Sequence, residues 1–330
     1  MIINKGTKQG FILISVLVIV VVLSIVSWSI SRRSAVEMNL LERYQGSLRS
    51  YAAARAGINV MMDLLNTSPA VQDTLYSCGI SIAKEKSPKE IFSHIEVDEQ
   101  AYASVEWEGS GYGSSDRISW HGLQDEQGKI NINAINDGNY QILSSLFEIK
   151  GLDRSQADAL ALAIVMYKGV LEPKQKPFDH ILELLEIEGM TKDFFDKIKQ
   201  DLTVYGDAQN GLWINVKVAN DEVLQAVVLA AKRVNPDVNT TAILTKAYSI
   251  RNGADGIPFT GDDGAASSID ESPDGGILNW PPALRMGNSN YLHARVTGVD
   301  KITNRRTVID VIINRTQGFG QNRIIGWHRD

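Results

Sequence analysis

Residues Phe11 to Ser31, "FILISVLVIVVVLSIVSWSIS", form a run of 21 residues without a charge. As a helix this run is about 30 Å long, which matches the hydrocarbon thickness of a bilayer. A cleavable secretory signal has a shorter apolar region of about 7–15 residues and ends at a small-residue site. Here the run ends in "SWSISRRSAV", which offers no such site. Lys5 and Lys8 precede it and favour a cytoplasmic N-terminus, whereas Arg32 and Arg33 beyond it weaken that preference. The residues alone therefore predict a single-pass helix over 11–31.

The helical pattern continues past the run. Val36, Leu40, Tyr44, Leu48, Ala52, Arg55, Ile58, Met62 and Leu65 recur at three- and four-residue spacing, with no proline before Pro69. One helix is expected from Phe11 to about Leu65, apolar over 11–31 and amphipathic over 32–66. Two pairs of alternating segments follow, far apart in the chain. "AYASVEWEG" (101–109) and "DRISWHGL" (116–123) read as one hairpin, and "NYLHARVTGV" and "RRTVIDVIINR" as another. Such a pattern fits one sheet, assembled from 67–125 and 237–330, that carries an inserted domain over 126–236.

The insertion is helical and repeated. "LSSLFEIKGLDRSQADAL" from Leu143 aligns without gaps on "ILELLEIEGMTKDFFDKI" from Ile181, so that Gly151 falls on Gly189. Each copy reads as helix, glycine turn, helix, in the manner of a helix-hairpin-helix unit. A looser echo sets Ile130, Asn131, Ile132, Asn136 and Asp137 beside Ile214, Asn215, Val216, Asn220 and Asp221, with Asn or Asp placed to cap the helices that follow. Units of this kind that hold nucleic acid do so with glycine-rich hairpins and lysines. Each hairpin here has one glycine, Glu188 and Asp193 flank the second, and the chain carries a net charge of −6. The repeat is thus expected to serve protein packing, and no nucleic-acid partner is expected.

The stretch from Arg251 to Gly276 places Asp255, Asp262, Asp263, Asp270, Glu271 and Asp274 among glycines, without apolar periodicity. Hard cations take six to eight oxygens from carboxylates and carbonyls on a backbone free to wrap around them. A calcium site is expected here, with Asp255, Asp262 and Asp263 as first candidates and Asp270 and Asp274 beside them. A solvated acidic loop is the alternative. Catalytic signatures are missing from the sequence: the five histidines have no ligand spacing, and Cys78 has no adjacent histidine. The adjacent carboxylates Asp125 and Glu126 read as a solvated turn.

"KQG" followed by "FILISVLVIVVVLSIV" resembles the processing signal of type IV pilins and type II secretion pseudopilins. "DEQGKININAIND", "PFDHILELLEIEGMT" and "GLWINVKVANDEVLQAV" are similar to segments of the minor pseudopilin K family. The resemblance covers nearly the whole chain. It implies an α+β pseudopilin fold with a long N-terminal transmembrane and periplasmic helix, an antiparallel sheet and a large inserted all-α domain of helix-hairpin-helix (SAM-like) type. It also implies that prepilin peptidase removes residues 1–10 after Gly10 and methylates Phe11. The fifth residue after that cut is Ser15. Most pilins place glutamate there, and K-type members lack it. Lys217 departs from the family's more frequent asparagine. The implied product is a non-enzymatic inner-membrane protein, with the bulk of the chain periplasmic, at the tip of a secretion pseudopilus. Its implied partners are I- and J-type minor pseudopilins, other pseudopilins and the inner-membrane secretion platform, with structural calcium. A minor pilin of a type IV pilus and a membrane-anchored helix-hairpin-helix DNA-uptake protein are the alternatives.

Overall fold

The computed structural model describes residues 6–67, 88–109, 111–112, 118–168, 176–206, 211–258, 279–287, 290–315 and 322–329. A single helix, α1 (Gly6–Thr67), spans 62 residues. It begins before Phe11 and ends where Asn66 and Thr67 lead to Pro69, as the sequence pattern predicts. A short α2 (Pro88–Phe92) leads into β1 (Ile95–Asp98) and β2 (Ala101–Gly109).

The two predicted hairpins are present and are joined edge to edge. β2 pairs antiparallel with β3 (Ile118–His121), and β9 (Tyr291–Asp300) with β10 (Arg306–Asn314). β2 also pairs with β9, through Ala101 to Asp300 and Val105 to Val296. The described sheet has seven strands rather than the four read from the sequence. β1 extends one edge, β11 (Arg323–Arg329) forms the other, and the two-residue β4 (Gln124–Asp125) pairs with β9. Only the four central strands have clean alternation over several residues, so the short and edge strands left little pattern to read.

The C-terminal half of α1 lies on the sheet. Ala54, Ile58, Met61 and Leu65 form a buried cluster with Ala103, Val105, Leu292, Val296, Ile309 and Val311. The expected stripe is inward only in part: Ile58 and Leu65 are buried and Met62 half-buried, whereas Leu48, Ala52 and Arg55 are exposed and Gly46, Ser50, Ala53, Ala54 and Gly57 are buried. Close approach explains why small residues take those inward positions. A Cβ on Gly57 would lie 2.7 Å from Ala103 Cβ, and one on Gly298 of β9 would overlap the Ser50 carbonyl and the Ala54 amide. Small residues facing one another bring helix and strand backbones together, where larger ones would hold them apart. Polar contacts fix the register. Arg49 Nε is 3.0 Å from Asp300 Oδ1, and the Ser50 and Thr307 hydroxyls are 2.8 Å apart.

Between β4 and β9 lies the helical part. It contains α3 (Gln141–Ile149), α4 (Arg154–Tyr167), a 3-10 turn over Ile181–Glu186, α5 (Lys192–Ile198), α6 (Asp221–Val234) and α7 (Thr240–Asn252). The repeat is visible as two helical segments broken by left-handed glycines, Gly151 (φ 107°) and Gly189 (φ 90°). Asp153 and Thr191 then cap the helices that follow. Two short parallel pairings, β5 (Ile130–Asn131) with β6 (Leu202–Thr203) and β7 (Ile214–Asn215) with β8 (Leu284–Arg285), close the ends. The second Asn echo acts as expected, because Asn220 caps α6. The first does not: Asn136 accepts the Gly138 amide, and the side chain before α3 makes no cap. The helical part's buried core runs from Ile130 to Leu284 and takes in Ile243, Ala247, Ile250 and Trp280 of the stretch beyond 236.

Replacing Gly298 by valine is expected to cost about 3 kcal/mol, because the close approach leaves no room for overpacking. Denaturant unfolding of the full chain measures this. A loss below about 0.5 kcal/mol, the scatter of surface substitutions, would mean that the helix does not sit where described.

Candidate membrane helix, acidic loop and inter-domain carboxylates

Gly10, Phe11 and Ser15 lie on the first turns of α1. From Leu13 through Ile30 the apolar side chains are exposed on every face, and the most apolar window has no buried residue. α1 is long and apolar enough to cross a membrane. Among the serines of the apolar stretch, Ser24 is satisfied locally, since its Oγ donates to the Val20 carbonyl at 2.8 Å. At the C-terminal end of the apolar stretch the first charges are self-contained. Arg33 Nε meets Glu37 at 3.0 Å, and Arg32 lies over the Trp28 ring. Further along, Val36, Leu40, Tyr44 and Leu48 are exposed as well, so an apolar strip continues beyond the bilayer length.

Of the predicted calcium ligands, Asp255 is described and exposed, with Oδ1 accepting the Ile257 amide at 2.8 Å. Asp262, Asp263, Asp270 and Asp274 lie outside the described residues, as does Cys78. Among the described residues no three His, Cys, Asp or Glu side chains are grouped to hold a metal ion. The root of the acidic stretch is firmly held. Arg251, 1% exposed, pairs with Asp221 at 2.7 Å, donates to the Ala219 carbonyl and lies over the rings of Tyr112 and Tyr248. Gly253 (φ 62°) then ends α7 and turns the chain outward.

The turn at Asp125 and Glu126 is buried, not solvated: the two residues are 6% and 3% exposed. They join the sheet to the helical part by different chemistry. Asp125 Oδ1 accepts the Gln127 amide at 2.8 Å, and Oδ2 accepts from Asn215 Nδ2 at 3.1 Å. Burial pushes its carboxyl up to about 7, and the two hydrogen bonds offset only part of that rise. Burial acts on Glu126 in the same direction, yet Lys129 at 2.6 Å and His293 hold its carboxyl below the ordinary value. Thr203 donates a hydrogen bond to Glu126, and His293 Nε2 is 3.1 Å from Asp310 on β10. Sequence spacing could not distinguish this junction from a surface turn, because beside the local Gln127 and Lys129 its partners Thr203, Asn215 and His293 come from distant parts of the chain.

The lysines of the two hairpins are already neutralised. Lys150 meets Asp201 at 2.7 Å and Glu222 at 2.5 Å, and Asp196 takes both Lys192 and Lys199. Phosphate would have to displace a carboxylate at each. Lys168 is spent differently: its ammonium donates to the carbonyls of Ile132, Asn133 and Ile135, tying the end of α4 to the 130–135 loop.

An acid whose folded pKa lies above its unfolded value holds more protons when folded. Stability therefore falls as pH rises from about 4 to about 7 and levels off above. Asp125 is expected to contribute such a decline, and Asp125→Asn to flatten the profile of thermal midpoint against pH over that interval. Identical slopes in the two proteins would contradict the account of the junction.

No family model matches the chain, and no curated protein matches it. A solved structure does. A chain of the GspK–GspI–GspJ complex from the type 2 secretion system of enterotoxigenic Escherichia coli superimposes with a TM-score of 0.53 at 13% identity. The match covers 89% of this chain and 99% of that one. The chain has a GspK-like pseudopilin fold.

Proposed function

We propose that this protein is a non-enzymatic minor pseudopilin that sits at the tip of a type II secretion pseudopilus and helps to initiate its assembly. The observation that carries this reading is the fold, which matches a chain of a secretion-system complex along 99% of that chain's length. The apolar surface of α1 supports it: the same exposed face suits a bilayer and then a bundle of like helices, so transfer between them costs little hydrophobic free energy. Ser15 supports an end position. A glutamate within an apolar bundle needs a partner, whereas a serine hydroxyl can be satisfied by its own helix. The helical part between the two halves of the sheet would also be hard to fit between neighbours above and below in a filament.

In this reading prepilin peptidase cuts after Gly10 and methylates Phe11, and the chain lies across the inner membrane with its sheet in the periplasm. The partners are I- and J-type minor pseudopilins. The acidic stretch, with Asp255, Asp262, Asp263, Asp270 and Asp274, binds calcium and gives order to a segment with no apolar core of its own. Co-expression of the full chain with I- and J-type subunits should yield a ternary complex, and failure to copurify with either would remove the assignment. Calcium at about a hundred times its dissociation constant should add about 2.7 kcal/mol of stability. The gain should be lost in Asp262→Asn/Asp263→Asn. An unchanged thermal midpoint on adding calcium would remove the metal from the account.

A further inference from the structure

The chain leaves the sheet for the helical part at Asp125 and Glu126 and returns to it at Asn290 and Tyr291. The two crossings lie together. The Asn290 amide donates to Gln127 Oε1 at 2.6 Å, and Gln124 on β4 pairs with His293 on β9. Beside them a cleft of about 540 Å³ separates the sheet from the helical part. Asp310, Ile312 and His328 of the sheet line one wall, and His180, Lys199 and Tyr205 of the helical part line the other. Two chain crossings next to one cleft have the layout of a hinge.

His293 stands at the crossings, and its ring meets one carboxylate from each side. Nε2 is 3.1 Å from Asp310 Oδ1 on β10, and Nδ1 is 3.7 Å from Glu126 Oε1. Burial raises both acids, yet Lys129 and His293 hold Glu126, and His293, Arg295 and His328 hold Asp310, below the ordinary carboxylate value. Both acids are therefore charged near neutral pH. Lys129 is 2.6 Å from Glu126 and Arg295 is 3.9 Å from Asp310, and neither loses its charge below about pH 8. Thr203 donates to Glu126 from the helical wall, and the neighbouring Tyr205 is held neutral by burial and by the Glu126 charge. A neutral imidazole has one N–H and one lone pair. With Nε2 donating to Asp310, the lone pair of Nδ1 faces the Glu126 carboxylate and is repelled. With both nitrogens protonated, the ring attracts both carboxylates.

We infer that His293 is a proton-operated clamp between the sheet and the helical part. Gain of its second proton draws Glu126 toward Asp310 and closes the cleft; loss of that proton lets the helical part swing away about the two crossings. Histidine is the side chain that ordinarily changes charge between about pH 5 and 8, so the clamp works within that interval. The other two histidines of the cleft are placed differently. His180 Nδ1 accepts the Leu182 amide of its own turn at 3.1 Å, and His328 faces Asp310 from β11 within the same sheet. Asp125 is a separate group, because its partners Gln127 and Asn215 do not line the cleft. The inference does not depend on the place of the chain in a secretion system.

Pulsed electron-spin distance measurements across the cleft provide the test, on the full chain in lipid nanodiscs. Spin labels are attached at Lys197→Cys on α5 and Arg323→Cys on β11, both exposed, with Cys78→Ser to remove the native thiol. On going from about pH 8.5 to about pH 5.5 the distribution should lose its longer distances and narrow to a shorter set. His293→Gln cannot gain charge and should keep the longer distances at both pH values. His293→Arg is always charged and should show the shorter set at both. Asp125→Asn, His180→Gln and His328→Gln should each retain the pH dependence. A distribution that does not change with pH when His293 is present, a change that persists in His293→Gln, or one that is lost in Asp125→Asn would overturn the proposal.

Discussion

The rest of the molecule depends on how closely α1 approaches β9. Gly57 on the helix and Gly298 on the strand remove the side chains that would hold the two backbones apart. That contact sets which stripe of α1 is inward, and so which residues of a 62-residue helix are left for other surroundings. Once Ala54, Ile58, Met61 and Leu65 are committed to the sheet, residues 16–45 of the helix are left exposed throughout. An apolar helix so exposed is stable only where something else replaces water around it. The Arg49–Asp300 pair and the Ser50–Thr307 hydrogen bond prevent the helix from sliding to a register that would bury a different stripe.

The two largest architectural features were legible because each is written at its own period. The uncharged run from Phe11 to Ser31 and the helical spacing after it predict α1. The alternation in "AYASVEWEG" and "NYLHARVTGV" predicts the central strands. The inward face of α1 was legible at Ile58 and Leu65 but not at Gly46, Ser50, Ala53, Ala54 and Gly57, for a physical reason: hydrophobic periodicity marks large residues, whereas a close helix–sheet contact selects glycine, alanine and serine. β1, β4 and β11 were missed because short or edge strands need not alternate. The site was less legible than the fold. Asp125 and Glu126 look like a solvated pair until Asn215, Thr203 and His293 arrive from distant parts of the chain. Local sequence carries no trace of such partners. Four of the five aspartates expected to bind calcium lie outside the described residues, so the structure adds only Asp255 and the firmly held root at Arg251.

The helical part has its own core, and it is tied to the sheet by polar contacts and by Val218 packed against Trp107 and its neighbours. Glu126 reaches Lys129 and Thr203 on one side and His293 on the other, while the Gly111 carbonyl accepts the Asp221 amide at the start of α6. Buried polar junctions of this sort contribute little net stability but penalise wrong arrangements heavily, because a misplaced partner leaves a charge unpaired. The hairpin lysines answer to carboxylates within the same domain.

The proposed role differs from that of an ordinary single-pass protein in what it requires at the junction of Gly10 and Phe11. An ordinary anchor keeps all the residues before its apolar run. Under the proposal, the subunit would lose Lys5 and Lys8 and present Phe11 at the end of a helix free to leave the bilayer. Mass spectrometry of the N-terminus of the protein isolated from cells with an intact secretion system therefore tests the account most directly. The predicted result is a chain that begins at an N-methylated Phe11. An intact Met1, or a chain that begins after Ser31, would contradict it.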